Sequence, residues 1–308
     1  MGILVNIHPS MGEPIAAALR AQAPEVKVWT HREEAPADEV EIMLAWSLKP
    51  GVLEAFPGLQ LLCAPSAGVD KLLAVDLPAG LPLARTVDGQ QHVEIAQYVL
   101  GVTLRHTREL ALFDAQQAQG QWLRRPVRPA GQCRVGILGL GQVGAHVASV
   151  MQSIGYEVAG WSRSPRQLAG VACCSGEQGL AQMLARTDIL VCALPLTPQT
   201  HGLLDRERLG LLPQGAYLIN VGRGEQVVEE DLLQLLDSGH LAGAALDVLT
   251  QEPPAPEHGL WRHAKVFVTP HIAAQASAQT IASQCLENLV RLRAGQPLLN
   301  LVDRSKGY

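Results

Sequence analysis

The sequence predicts two doubly wound α/β domains, and three observations predict them. Short strand-like runs alternate with helical stretches through the N-terminal third. Seven further runs follow, most of them continuously apolar, as strands buried on both faces of a parallel sheet should be. A glycine-rich turn then joins one of those runs directly to a helical pattern. At 308 residues the chain is long enough for two such domains, each with its own core.

The elements follow in order. The first domain offers the strands "GILVNI", "VKVWT", "EIMLAW", "LQLLCAP" and "LPLART", with "EPIAAALRAQ" as a helix between the first two. A helical pattern from His92 to Gln119 is too long for a simple crossover and reads as a bridge to the second domain. There the strands are "RVGILGL", "YEVAGW", "GVACC", "DILVCALP", "AYLINVG", "AGAALDV" and "KVFVTP". After Pro270 a second long helix, "AAQASAQTIASQCLENLVRLRAG", carries the chain back, and the tail "LNLVDRSKGY" lies on the first domain. The predicted boundaries are 1–95 with 273–308 for one domain and 96–272 for the other.

Composition narrows the function. Charged residues make up 17% and the formal net charge is −5, so no electrostatic footprint for nucleic acid is present. The longest basic cluster, "RRPVR" at Arg124 to Arg128, reads as a solvated connector. No apolar run reaches the ~20 residues of a membrane span, and "MGILVNIHPS" reads as a strand rather than a signal peptide. The six cysteines (63, 133, 173, 174, 192 and 285) show no CxxC or metal-ligand spacing, so reduced thiols, a cytoplasmic location and no metal are expected.

In "VGILGLGQVG", Gly139, Gly141 and Gly144 form a GxGxxG between a strand and a helix. The first glycine permits the tight turn, the second lets backbone approach a pyrophosphate, and the third lets helix and strand pack closely. Unpaired N–H groups of the following helix start, at Gln142 and Val143, favour phosphate. NAD sites carry a carboxylate at the end of the next strand, for the ribose 2′-OH. Here "GWSRSPRQ" has none. Ser162 in that place removes the repulsion toward a 2′-phosphate and can donate a hydrogen bond. Arg163, with Ser164 and Arg166 beside it, offers a planar fork for phosphate oxygens. NADPH is the expected cofactor, with NADH the weaker alternative.

Ligands of open parallel sheets bind beyond the carboxyl ends of the strands. Three successive strand ends deliver Arg223, then Asp247 with Glu252 five residues on, then His271. Each has a plain structural alternative: a surface ion pair, a turn cap, a loop acid, a hydrogen-bonded histidine. Together they match hydride transfer to a 2-keto acid. Arginine binds the carboxylate or polarises the ketone, histidine donates a proton to the new alkoxide, and a carboxylate orients that histidine. In the first domain, Trp46 ends "EIMLAW" at the ligand-bearing edge if that sheet is also parallel. There it either limits substrate size or simply packs in the core.

The motifs "GILGLGQVG", "LPLTPQTHGLL", "LINVGRGEQVVEEDLL", "ALDVLTQEPP" and "VTPHIAA" resemble those of the D-2-hydroxyacid dehydrogenase family over essentially the whole chain. "GWSRS" and "VDRSKGY" are most similar to its glyoxylate/hydroxypyruvate reductase A branch. The resemblance implies a flavodoxin-like substrate domain and a Rossmann nucleotide domain, with the active site in a cleft between them. It implies Arg223, Glu252 and His271 as the catalytic set and Asp247 on the nicotinamide carboxamide. The loop around Ala67 and Gly68 would bind the substrate carboxylate through backbone N–H groups. Leu194, Pro195, Thr200 and Val221 would lie along the cofactor, and the nucleotide domains would join a homodimer.

The expected reaction is NADPH-dependent reduction of glyoxylate to glycolate and of hydroxypyruvate to D-glycerate. Two rivals stay open: a broader reductase of the same family acting on larger acids such as phenylpyruvate, and a dinucleotide-sensing binding protein without turnover.

Overall fold

The computed structural model describes residues 2–304, so Ser305, Lys306, Gly307 and Tyr308, the end of the expected tail, lie outside the described residues. The chain divides into two compact units, Met1–Gly89 with Gln275–Tyr308 and Gln90–Ala274. The first crossing falls at the start of a helix rather than at the expected residue 95, because helix Gln91–Thr107 packs as one rod within the second unit.

All five strands expected in the first unit form: β1 (Gly2–Asn6), β2 (Lys27–Trp29), β3 (Val40–Ala45), β4 (Leu61–Ala64) and β5 (Leu83–Arg85). They pair in parallel in the order β2-β1-β3-β4-β5, the flavodoxin-like arrangement. Alternate side chains serve two cores, as a period of two requires. Ile3, Val5, Ile42, Leu44 and Cys63 face one; Leu4, Met43, Ala45, Leu62 and Ala64 face the other. Helix α1 (Pro9–Gln22) starts four residues earlier than expected, with Pro9 in its first turn, where a missing N–H costs nothing, and a short helix α2 (Asp70–Leu73) follows β4.

The C-terminal helix covers the same face as α1, and Ile281, Ala282, Cys285 and Leu289 join the core there. It begins at Ala278 rather than Ala273, because Ser277 caps it by accepting from Thr280 N at 3.0 Å. The tail then pairs with β5, Val302 N donating to Leu83 O and Arg85 N to Asn300 O.

In the second unit α3 (Gln91–Thr107) and α4 (Leu110–Ala118) replace the single long helix expected over 92–119. The break is at Glu109, whose φ of 51° is left-handed and whose carboxylate meets Arg125 at 2.9 Å. Neither glycine nor proline marks it, so residue types alone do not reveal it.

All seven expected strands then form: β6 (Arg134–Leu138), β7 (Glu157–Trp161), β8 (Ala172–Cys174), β9 (Ile189–Cys192), β10 (Ala216–Asn220), β11 (Leu241–Leu246) and β12 (Val266–Val268). Their order, β12-β11-β10-β9-β6-β7-β8, is the Rossmann arrangement with an added edge strand, and it reverses between β6 and β9. Ile137, Val191, Ile219 and Ala245 pack with α3 and with Val147 and Met151 of helix α5 (Gln142–Ser153). Leu138, Leu190, Leu218 and Leu246 pack on the opposite face. Among the described residues no helix is long and apolar enough to cross a membrane. Cys63, Cys133, Cys192 and Cys285 are buried and free; Cys173 and Cys174 are partly exposed and free.

His106 of α3 stacks on Tyr217 of β10, ring centroids 4.0 Å apart and planes 16° from parallel. Burial pushes its pKa down to about 4. The unfolded chain takes up this proton near pH 6.5 and the folded chain only near the lower value. Stability is therefore full above about pH 6.5, falls as pH drops through that window, and levels off below it. The expected loss is roughly 2–3 kcal/mol. Urea unfolding of wild type and His106→Gln from pH 7 to 4.5 checks this. The variant should lose part of the acid slope, and identical slopes would contradict the assignment.

Candidate active site

The glycine turn closes β6 at the point where strand order reverses. Gly139 has φ 97°, a conformation that disfavours any side chain, and a Cβ there would meet Ala193 O at 2.8 Å. A Cβ on Gly144 would fall far inside contact distance of the Gly139 carbonyl. At Gly141 φ is −71° and a Cβ would meet no protein atom within 4 Å. The outer glycines thus serve the protein's own packing, whereas the middle one faces open space beside the α5 N-terminus. Exposed Gln142 and half-buried Val143 begin that helix, where backbone N–H groups lack helical acceptors. These residues fit a dinucleotide pyrophosphate.

Beyond β7 the turn at Ser162 is tied down from three sides. The Trp161 indole donates to Gly176 O at 2.9 Å, Ser162 N to Cys174 O at 3.2 Å, and Ser162 Oγ to Ser164 O at 2.7 Å. The hydroxyl proton of Ser162 thus serves the turn here, as a serine in a turn readily bonds nearby backbone. What Ser162 contributes is the absence of charge and the shape of the turn. Arg163, Ser164 and Arg166 stand exposed on it.

The segment after β9 is shaped by its own polar groups. Thr200 Oγ1 donates to Pro195 O at 2.7 Å and accepts from Thr197 N at 2.8 Å, so this hydroxyl folds the loop. Leu194 is half-buried and Pro195 exposed. Gln226, fully buried, donates to the carbonyls of Leu194 and Pro195 at 2.9 and 3.1 Å. Its Oε1 accepts from Arg223 N at 2.9 Å. Asn220, also fully buried, accepts from Gly222 N and donates to Arg223 O. Two buried amides thus clamp the turn that carries Arg223 after β10, with half-buried Val221 inside it. A Cβ on Gly224 would run into the Leu249–Thr250 backbone, so this glycine sets the arginine turn directly against the loop of Glu252.

His271 and Glu252 are brought together. Glu252 Oε2 lies 3.1 Å from His271 Nδ1, both side chains about a quarter exposed at 25% and 23%, and Oε1 accepts from Leu249 N at 3.2 Å. A carboxylate only accepts, so Nδ1 carries the proton in this contact. The backbone of His271 is left-handed, φ 57°. Asp247 holds it there. His271 N donates to Asp247 O at 2.9 Å, while the carboxylate takes Thr269 Oγ1 at 2.6 Å and the N–H groups of Ile272 and Ala273 at 2.8 Å each. Two of these bonds occupy Oδ1, and one acceptor position on Oδ2 remains.

Burial pushes the Cys192 thiol, at the end of β9, up to about 12, which leaves it uncharged beside the Gln226 amide oxygen at 3.3 Å. In the first unit, Trp46 follows β3 directly and is only half-buried, so it stands at the sheet's carboxyl edge rather than inside the core. Half-buried Ala67 and Gly68 leave the adjacent strand, β4, at the same edge, and Ser66 Oγ donates to Gly68 O at 2.8 Å.

Sequence reasoning missed Asn220, Gln226 and Thr269. Asn220 and Gln226 lie inside the quoted "LINVGRGEQ" motif, where polar residues flanking a strand end were the available signal.

A family model described as "D-isomer specific 2-hydroxyacid dehydrogenase, NAD binding domain" matches residues 100–273. Glyoxylate/hydroxypyruvate reductase A of Serratia proteamaculans is 37% identical, over 99% of each chain. A D-isomer specific 2-hydroxyacid dehydrogenase of Xanthobacter autotrophicus, solved with NADPH and MES, superposes with a TM-score of 0.85 at 41% identity, covering 100% of this chain and 99% of that one. An NADPH-dependent glyoxylate/hydroxypyruvate reductase of Sinorhizobium meliloti, solved with NADP and sulfate, gives 0.88 at 33% identity, again over 100% and 99%.

The glycine geometry separates two substitutions. Gly141→Ala should leave the melting temperature unchanged and weaken NADPH binding at least tenfold, since its methyl enters only the open space. Gly144→Ala should lower both stability and binding. Equal melting losses, or unchanged NADPH titrations for Gly141→Ala, would contradict this assignment.

Proposed function

This chain belongs to the D-isomer specific 2-hydroxyacid dehydrogenase family, and on that premise we propose that it reduces small 2-keto acids with NADPH. Glyoxylate would give glycolate and hydroxypyruvate would give D-glycerate. The observation that carries the reading is the Glu252–His271 pair at 3.1 Å, with His271 on a turn pinned by Asp247 and Glu252 one strand from Arg223. The names and bound cofactors of the Serratia, Xanthobacter and Sinorhizobium proteins support the substrate class and NADPH.

NADPH, when bound, supplies the hydride that reduces the keto carbon. Gly139, Gly141, Gln142, Val143 and Gly144 would receive its pyrophosphate, and Arg163 its 2′-phosphate, with Ser162 withholding the carboxylate that would repel it. The remaining acceptor position on Asp247 Oδ2 suits a carboxamide N–H. Arg223 binds the substrate carboxylate, and in the first unit the loop around Ala67 and Gly68 offers backbone N–H groups suited to a carboxylate. His271 then passes the Nε2 proton to the oxygen that has gained negative charge, and Glu252 stabilises and orients the imidazolium.

The reading further makes the first unit the substrate domain and the second the nucleotide domain, in a cytoplasmic homodimer. Free thiols support a reducing compartment. Trp122 is 92% exposed, and Leu110, Leu123 and Val127 are also exposed, an apolar surface in the second unit that a second copy would cover.

A panel of 2-keto acids assayed with NADPH and NADH tests the reading. Wild type should turn over glyoxylate and hydroxypyruvate and prefer NADPH. His271→Ala should abolish most turnover while still binding NADPH. Arg163→Ala should lose about 1.5–3 kcal/mol of NADPH affinity, roughly tenfold to a hundredfold, with NADH nearly unchanged. Trp46→Ala should raise the ratio of phenylpyruvate to glyoxylate turnover, as its half-buried place at the sheet edge suits a limit on side-chain size. Cofactor binding with no turnover on any 2-keto acid would instead favour a dinucleotide sensor.

A further inference from the structure

Tyr98 lies within α3, far in sequence from every motif of the site, yet its hydroxyl is 2.7 Å from Thr269 Oγ1. Thr269 Oγ1 in turn lies 2.6 Å from Asp247 Oδ1. The direction of this chain is set by elimination. A carboxylate only accepts, so the one proton of Thr269 goes to Asp247, and the threonine oxygen must accept from Tyr98. Burial, and secondarily the Asp247 charge, push the tyrosine pKa up to about 12, so the phenol remains a donor across the working pH range.

We propose that Tyr98 is a positioning residue for the proton donor, acting through Thr269 and Asp247 on the left-handed turn that carries His271. Without the tyrosine proton, the Thr269 hydroxyl is free to rotate away from Asp247. One of the bonds that pins a strained backbone would then be intermittent. Helix α3 shares its core with α5, Val99 and Val102 packing in the same cluster as Val147 and Met151. The support of the proton-donating turn and the support of the glycine turn are therefore one helix layer. Phenylalanine at 98 would fill that layer equally well, so packing alone does not account for the hydroxyl.

The inference rests on the proposed role of His271. Steady-state reduction of glyoxylate by NADPH, NADPH titration and melting curves on one set of variants test it. Tyr98→Phe and Thr269→Val should each lower kcat about tenfold, with KM and NADPH Kd within about twofold of wild type. Thr269→Ser should restore kcat, and the Tyr98→Phe/Thr269→Val double variant should fall no further than the worse single, because both cut one chain. Wild-type kcat in Tyr98→Phe, Thr269→Ser as slow as Thr269→Val, or losses that follow melting temperature and NADPH binding would overturn it. His271→Ala in the same assay separates the two levels. If it retains turnover, the reading of the site fails; if it is inactive while Tyr98→Phe is unimpaired, only this inference fails.

Discussion

The Asp247 carboxylate is the interaction on which the site depends. It is 2% exposed and carries a charge, an arrangement that burial would forbid without close donors. The residues just after the neighbouring strand supply them: one hydroxyl and two backbone N–H groups, all within 2.6–2.8 Å. The carboxylate is satisfied only if residues 269–273 curl around it, and that curl forces His271 into the left-handed region. A buried charge and a strained histidine thus account for each other. The same curl sets Nδ1 against Glu252.

The arginine turn is built by different means with the same result. Amides rather than a charge do the clamping, through Asn220 and Gln226, and a glycine at 224 removes the Cβ that would hold the turn away from the Glu252 loop. Parallel strands make this economical. Every strand of the second sheet ends at the same edge, so β10, β11 and β12 deliver their loops side by side without long connections. Stability and catalysis are divided accordingly: the strands are apolar and serve two cores, and the polar residues begin where hydrogen-bonded pairing stops.

Much of this was legible in the residues. The twelve strands announce themselves as short, mostly apolar runs, and GxGxxG carries its meaning in three separable steric demands, each visible at Gly139, Gly141 and Gly144. Arg223, Glu252 and His271 were legible because strand ends are where such a sheet binds ligands. The hidden parts depend on tertiary geometry. Nothing in the helical pattern over 92–119 marks the left-handed Glu109, since its conformation is set by the fold around it and not by a helix-breaking residue. Ser162 was legible as an absent charge, but not as a hydroxyl turned inward on Ser164. Thr269 and Tyr98 meet across 171 positions of sequence, a pairing that neither periodicity nor spacing encodes.

The most direct measurement of the central claim is a crystal structure with NADP and oxamate, an unreactive relative of the keto acids. The account predicts His271 Nε2 within about 2.6–3.2 Å of the oxamate amide oxygen, the oxamate carboxylate on Arg223, and the 2′-phosphate on Arg163. It also predicts the carboxamide donating to Asp247 Oδ2. Oxamate seated away from His271, or a turn at 269–273 rearranged so that Asp247 releases it, would contradict the account.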